Sequence, residues 1–266
     1  MKSCAQCGAE VAADAEGTPC VACLLRIGLD AAGDSVEDVD LLIGDEAHRL
    51  LGPIGRGPNG TAYIACSLRQ PSRLATVKVI EQPVDVDAFL RRMEDVMARM
   101  KGLEEGGTGS RSTGVTADGR AYVSAPYVPG RAIDRCFRGE ATRRDSLALL
   151  VSMCSGMAEL HARDVLHGSI KPSNVLVAGP SAGGTVTLLD TGVRPSIEAA
   201  WLSRRTSAPP RDIPPTTQDD VEALYRLVCA LAEQRPDLAR IRLLLGGSAR
   251  SASGLASALQ SAMYGV

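Results

Sequence analysis

Residues 165–177 read VLHGSIKPSNVLV. The frame is His167-x-x-x-Lys171-Pro172-x-Asn174, enclosed by apolar residues. Positions 168 and 169 are glycine and serine, and a serine cannot act as a carboxylate base. Upstream, RRDSLALLVSMCSGMAELHARDV (143–165) has Leu147, Leu150, Val151, Cys154 and Ala158 at helical spacing and runs directly into the frame. The Arg163-Asp164 pair inside it precedes His167 and falls in the turn before the frame. Downstream, TVTLLDTGV (185–193) reads as a strand ending in Asp190-Thr191-Gly192.

The first half carries a second constellation. In HRLLGPIGRGPNGTAYIACS (48–67), Gly55, Gly57 and Gly60 form G-x-G-x-x-G between strand-like runs at 50–54 and 61–66. A hairpin of this form lets backbone N–H groups approach phosphates closely. The helix that a dinucleotide-binding reading demands after the glycines is absent. LATVKVI (74–80) is a β-branched strand with one lysine, Lys78, for which a phosphate is a suitable partner; the alternative is a surface lysine. After Pro83, DVDAFLRRMEDVMARM (85–100) is amphipathic, with Phe89, Met93, Val96, Met97 and Met100 on one face. KGLEEGGTGSRSTG (101–114) reads as a loop. VTADGRAYVSAPYV (115–128) reads as a hairpin turning at Asp118-Gly119.

The chain has 266 residues, 45% hydrophobic but only 3% aromatic, and a net charge of −2. A sizeable core must therefore rest on Leu, Val, Ala and Met. The charge gives no basic surface that would call for nucleic acid or a membrane. No apolar run approaches the ~18 residues of a spanning helix, and no secretory signal follows Met1, so a cytoplasmic protein is expected. Cys66, Cys136, Cys154 and Cys229 lie in apolar stretches and read as small core residues. Cys4, Cys7, Cys20 and Cys23 have C-x2-C-x12-C-x2-C spacing, which suits a structural tetrahedral zinc; two disulfides or four free thiols are the alternatives. The expected organisation is a zinc-ribbon module at 1–29, an acidic mobile linker at 30–47, and a larger domain at 48–266.

From residue 48 onward the chain resembles a protein serine/threonine kinase domain. The glycine loop, strand lysine, Lys-Pro-x-Asn loop and Asp-x-Gly motif follow in that family's order. The fronting cysteine ribbon resembles that of some bacterial kinases of this type. The resemblance implies a bilobal α+β fold with a β-rich N-lobe (48–125) and a helical, truncated C-lobe (129–266). It implies ATP bound by Gly55, Gly57, Gly60, Ala62, Lys78, Pro126, Val128 and Leu176, with magnesium on Asn174 and Asp190. Pro126 would offer its carbonyl, and Val128 its N–H, to an adenine edge.

The resemblance also implies losses. The proton acceptor is replaced by Ser169, although Lys171 is retained. Gly168 replaces the arginine that reads a phosphate on the following segment. Thr191 stands in place of a phenylalanine. Met93 falls where the family has a helix glutamate paired to the strand lysine, leaving Glu94 to shift inward or the pair to be lost. Ala208–Pro210 replaces Ala-Pro-Glu, so Arg250 has no glutamate to meet. TTQDDVEALYRLV (216–228) resembles the family's buried central helix, in which Asp220 should brace the 167–169 loop, and GSARSASGLASAL (247–259) resembles its closing helix. The interval from Asp220 to Arg250 is about half the family's, and one docking helix should be missing. The expectation is an ATP-binding pseudokinase with a regulatory or scaffolding role and an unknown protein partner. An active atypical kinase, or a kinase fold that binds no nucleotide and serves in docking, are the alternatives.

Overall fold

The computed structural model describes residues 2–3, 10–11, 40–43, 46–67, 74–103, 111–138, 141–179, 184–203, 215–246 and 250–264. The chain divides into two compact units. The first comprises Met1–Met97, Gly107–Pro129 and Ser196–Pro209; the second comprises Ala98–Gly106, Gly130–Pro195 and Pro210–Val266.

The first unit is built on β-structure. Near its start β1 (Lys2–Ser3) pairs antiparallel with β2 (Glu10–Val11). The main sheet holds β3 (Asp40–Ile43), β4 (Glu46–Gly57), β5 (Gly60–Ser67), β6 (Leu74–Val79), β7 (Ser112–Val115) and β8 (Ala121–Pro126). It is antiparallel, in the order β3-β4-β5-β6-β8-β7, and its edge strands β3 and β7 touch. The period-2 pattern of a strand sorts β6 cleanly. Ala75, Val77 and Val79 are buried and Leu74, Thr76 and Lys78 are half-buried. Val77 and Val79 join Leu50, Ala65 and Tyr122 in one cluster, with Tyr63 packed against it. The β7–β8 hairpin turns where expected: Gly119 has φ +84° and its N–H donates to the Thr116 carbonyl at 2.9 Å.

Helix α1 (Val86–Met100) follows β6. The Asp85 carboxylate accepts from the Ala88 N–H at 2.9 Å and satisfies a donor of its first turn. Phe89, Met93 and Met100 are buried, whereas Val96 and Met97 are half-buried.

The second unit is mainly helical. It contains β9 (Arg131–Ala132), α2 (Ile133–Phe137), α3 (Arg143–His161), β10 (Val175–Ala178) and β11 (Thr185–Leu188). Helix α4 (Val193–Ser203) starts here, its residues from Ser196 grouping with the first unit. Then come α5 (Thr217–Glu233), α6 (Ile241–Leu245) and α7 (Ala252–Tyr264). Both α3 and α5 begin at full capping boxes. The Thr142 and Thr216 hydroxyls accept from the N–H groups of Asp145 and Asp219, whose carboxylates accept the backbone N–H of each cap. Helix α3 packs along α7 and also meets β11 and α5. Between α5 and α7 the described residues hold only a 3₁₀ turn (Pro236–Leu238) and the five-residue α6.

Four sequence expectations need correction. The sheet begins inside the supposed linker 30–47, because Leu41, Leu42 and Ile43 form β3 against β4. Helix α3 is covered on more than one stripe: Leu149, Met153, Met157 and Leu160 are buried, while Val151 and Ala158 are not. The cause is its several neighbours, where a single stripe presumes one. Val96 and Met97 of α1 are less buried than the periodic face suggested. Helix α4 was not expected at all. Among the scattered cysteines, Cys136, Cys154 and Cys229 are buried free thiols and Cys66 is half-buried. The proposed zinc ligands Cys4, Cys7, Cys20 and Cys23, most of the linker and Ala208–Pro210 lie outside the described residues. Among the described residues no cluster of three metal-ligating side chains occurs, and no helix is long and apolar enough to cross a membrane.

Candidate functional site

The glycines of the β4–β5 hairpin have different jobs. Gly57 faces Gly60 across the turn at Pro58-Asn59. Gly60 has φ +127°, and a Cβ there would lie 2.0 Å from the Val79 carbonyl oxygen. Only glycine allows β5 this approach to β6. Gly55 and Gly57 have no heavy atom within 4 Å of where a Cβ would stand. The fold does not require them to lack a side chain; their smallness keeps the space over the hairpin clear. The Thr61 hydroxyl donates to the Glu81 carboxylate at 2.6 Å, and the Gln82 side-chain amide donates to the Pro58 carbonyl at 2.7 Å. Both bonds tie the turn to the chain just after β6.

Lys78 stands opposite Ala62 on β5 and Val123 on β8. Directly opposed residues of neighbouring strands share a face, so a small, a cationic and an aliphatic residue line up there. On α1, Met93 is fully buried and Glu94 is exposed. The helix therefore turns a thioether inward and leaves Glu94 in solvent. At the end of β8 the Tyr127 N–H donates to the Leu74 carbonyl at 3.0 Å. Pro126 faces Ala75 at the adjacent, non-hydrogen-bonded position, where a missing N–H does no harm. Strand alternation directs the Pro126 carbonyl away from β6, and Val128 lies past the end of β8.

In the second unit the 165–177 segment is a loop followed by a 3₁₀ turn (Pro172–Asn174) and β10. Asp220 organises it. Its carboxylate accepts the N–H groups of His167 and Gly168, both at 2.7 Å, and lies 3.3 Å from His161 Nε2. Only 3% exposed, Asp220 sits in the first turn of α5, after the Thr216 cap. The cap thus fixes the residue that fixes the loop. His167 Nδ1 accepts from the Ser169 N–H at 3.2 Å. Asn174 donates through Nδ2 to the Ser169 carbonyl at 2.8 Å and to the Ser169 hydroxyl at 3.3 Å. Its Oδ1 is left as the acceptor. The Asn174 carbonyl accepts the Leu189 N–H at 2.8 Å, which holds Asp190 beside this loop. Asp190 has φ +58°, a left-handed backbone that aspartate tolerates better than most residues. Thr191 is fully buried. Lys171 is exposed, and Leu176 lies half-buried on β10 between Ala132 and Thr187.

The structure thus brings Ser169, Asn174 and Asp190 together within the second unit, while Gly55, Gly57, Gly60, Ala62, Lys78, Pro126 and Val128 belong to the first. Sequence reasoning missed three residues. Arg163 donates to the carbonyls of Arg99 at 3.1 Å and Lys101 at 2.6 Å and anchors the turn before the loop. Arg194 and Pro195 lie against Gly168, the Arg194 guanidinium reaching its carbonyl at 3.4 Å. The glycine itself was the signal, since an arginine's place taken by the smallest residue invites a search for what comes close.

No protein-family model matches the chain. It is similar to the serine/threonine-protein kinase pkn2 of Myxococcus xanthus, 26% identical over 161 residues, covering 60% of this chain and 19% of that protein. It is similar to the probable serine/threonine-protein kinase PknB of Lactococcus lactis, 23% identical over 163 residues, covering 60% of this chain and 25% of that one. The chain spans about a fifth to a quarter of the length of these relatives. Among solved structures it matches the Mycobacterium tuberculosis PknI kinase domain with a TM-score of 0.56 at 18% identity, covering 85% of this chain and 99% of that one. With a β-sheet unit and a helical unit of this topology, the protein has the bilobal fold of a protein kinase domain, and its sequence is similar to bacterial serine/threonine kinases.

Proposed function

We propose that the protein is an ATP-binding pseudokinase that performs little phosphoryl transfer and acts in the cytoplasm as a regulator or scaffold for a protein partner. One observation supports this reading: Asn174 is bonded to Ser169, a position that holds no base, and its carbonyl takes the N–H of Leu189, next to Asp190. Asn174 retains a free Oδ1 and Asp190 its carboxylate, both suited to magnesium. Ser169 accepts the Asn174 amide and brings only a hydroxyl. Losing a general base alone lowers a rate by roughly 10²- to 10⁴-fold. The residues also fit a nucleotide. Gly55 and Gly57 leave clear space at the hairpin, Lys78 supplies a positive charge, and the family resemblance gives the Pro126 carbonyl and the Val128 N–H to an adenine edge. When bound, magnesium would neutralise phosphate charge. Cys4, Cys7, Cys20 and Cys23 are assigned a structural zinc in a ribbon that serves for docking, supported by their spacing.

A second reading, a working atypical kinase, is favoured by the retention of Lys171, Asn174 and Asp190, because phosphoryl transfer rests largely on positioning and charge. Melting temperature with and without ATP and magnesium, paired with a radiolabel transfer assay, separates the readings. The proposal expects stabilisation without transfer. Transfer abolished by Asp190→Ala would establish the second reading, and no stabilisation would leave a kinase fold used only for docking.

A further inference from the structure

Helix α4 begins three residues after Asp190, and its first residues are fastened to the loop that carries Ser169. The Gly192 N–H donates to the His167 carbonyl at 3.3 Å. The Arg194 guanidinium donates to the Gly168 carbonyl at 3.4 Å. The Pro195 ring occupies the space on Gly168 where a side chain would project: a Cβ there would lie 2.4 Å from Pro195 Cδ and 2.5 Å from Cγ. Gly168 also has φ +73°, a region that L side chains rarely adopt. The loop itself cannot retreat easily, because both the His167 and Gly168 N–H groups are held by Asp220. Asp220 grips the loop through its N–H groups, and Gly192 and Arg194 grip the two carbonyls of the same residues.

We propose that Gly192–Pro195 is a built-in latch that holds the start of α4 against residues 167–168, and that Gly168 is its seat. Packing and backbone hydrogen bonds order this segment. No cation stands at position 168 to order it through a phosphate, so the latched state needs no modification of the segment. The same contact explains why arginine cannot return at 168: its Cβ would meet the Pro195 ring before the guanidinium reached anything. The inference goes beyond nucleotide binding and does not depend on it.

Amide hydrogen exchange on the intact chain tests the latch, with the amides of 196–203 as readout and those of β5 and β6 as internal reference. Gly168→Asn is the informative variant, since asparagine tolerates a left-handed backbone and what it adds is mainly bulk toward Pro195. Exchange in 196–203 is expected to quicken at least tenfold with the β5 and β6 amides unchanged. Adding Pro195→Ala, which deletes Cδ and Cγ while keeping a helix-compatible residue, is expected to return it to within about threefold of the parent. Should Gly168→Asn unfold the whole chain, recovery of a cooperative melt in the double variant would support the same contact. The proposal is overturned if Gly168→Asn leaves exchange in 196–203 unchanged, or if Pro195→Ala fails to restore what it lost.

Discussion

At the scale of single residues, glycines that look alike in sequence separate by what surrounds them. Gly60→Ala would drive a methyl into the Val79 carbonyl and should cost on the order of 2–4 kcal/mol, read as a lowered urea midpoint. Gly57→Ala meets nothing and should change stability by less than about 0.5 kcal/mol; its effect should fall on nucleotide affinity instead. A nucleotide at a hundredfold its dissociation constant stabilises a fold by about 2.7 kcal/mol. Asp190→Ala should remove the magnesium-dependent part of that gain, and Lys78→Ala should weaken what remains. Ser169→Asp, with Gly168 unchanged, should yield little transfer in a radiolabel assay. Burial pushes the Cys154 thiol up to about 12, from 9.0 when exposed. Above about pH 9 the unfolded chain therefore gives up a proton that the folded chain keeps, and stability falls by up to about 1.4 kcal/mol per pH unit. Urea midpoints between pH 8 and 10.5 should show this slope, and Cys154→Ala should flatten it. The chemical identity of each site residue was legible in the sequence. The open space at Gly57 and the crowding at Gly60 and Gly168 were not, because steric demand is a property of neighbours distant in the chain.

At the scale of elements, periodicity located α1 and α3, strand-like runs and turn residues located β4 to β8, and the family resemblance located α5 and α7. Helix α1 decides a question that the sequence left open. Met93 is buried and Glu94 exposed, so Glu94→Ala should leave the ATP-dependent stabilisation intact, whereas Met93→Ala should cost about 2–5 kcal/mol in cavity and transfer terms. Helix α4 was not read in the sequence; Pro195 sits in its first turn, where proline is acceptable because the N–H has no intrahelical partner. The capping box of α5 reaches into the site through Asp220. Thr216→Ala should cost about 1 kcal/mol, and Asp220→Ala more, since it leaves the buried His167 N–H without an acceptor at ~1–3 kcal/mol and also releases the half-buried Gly168 N–H. Thermal melts of the two variants should rank in that order.

At the scale of the whole molecule, the order of motifs along the chain sufficed to read the two-unit fold, because glycine loop, strand lysine, amide and carboxylate follow one another in the order of the family it resembles. The zinc assignment concerns residues 1–29 alone and is tested by elemental analysis: one zinc per chain is expected, and loss of the metal from a chain whose first 29 residues stay folded would contradict it. About 25 residues are too few to bury a core, so the metal would provide most of that module's folding free energy. Chelation should therefore unfold the ribbon while the ATP-dependent shift of the larger domain survives.

The pairing of β3 with β4 has a consequence for how this protein keeps to itself. If the chain were shortened to begin at Glu46, β3 would be gone and the stretch of β4 that it pairs, residues 46–49, would lie bare with unpaired N–H and C=O groups. An exposed edge of that kind is a template for another chain. Four residues inside an acidic stretch act as a guard strand, and the shortened protein should associate edge to edge, eluting further ahead of its monomer mass on a sizing column than the full chain does.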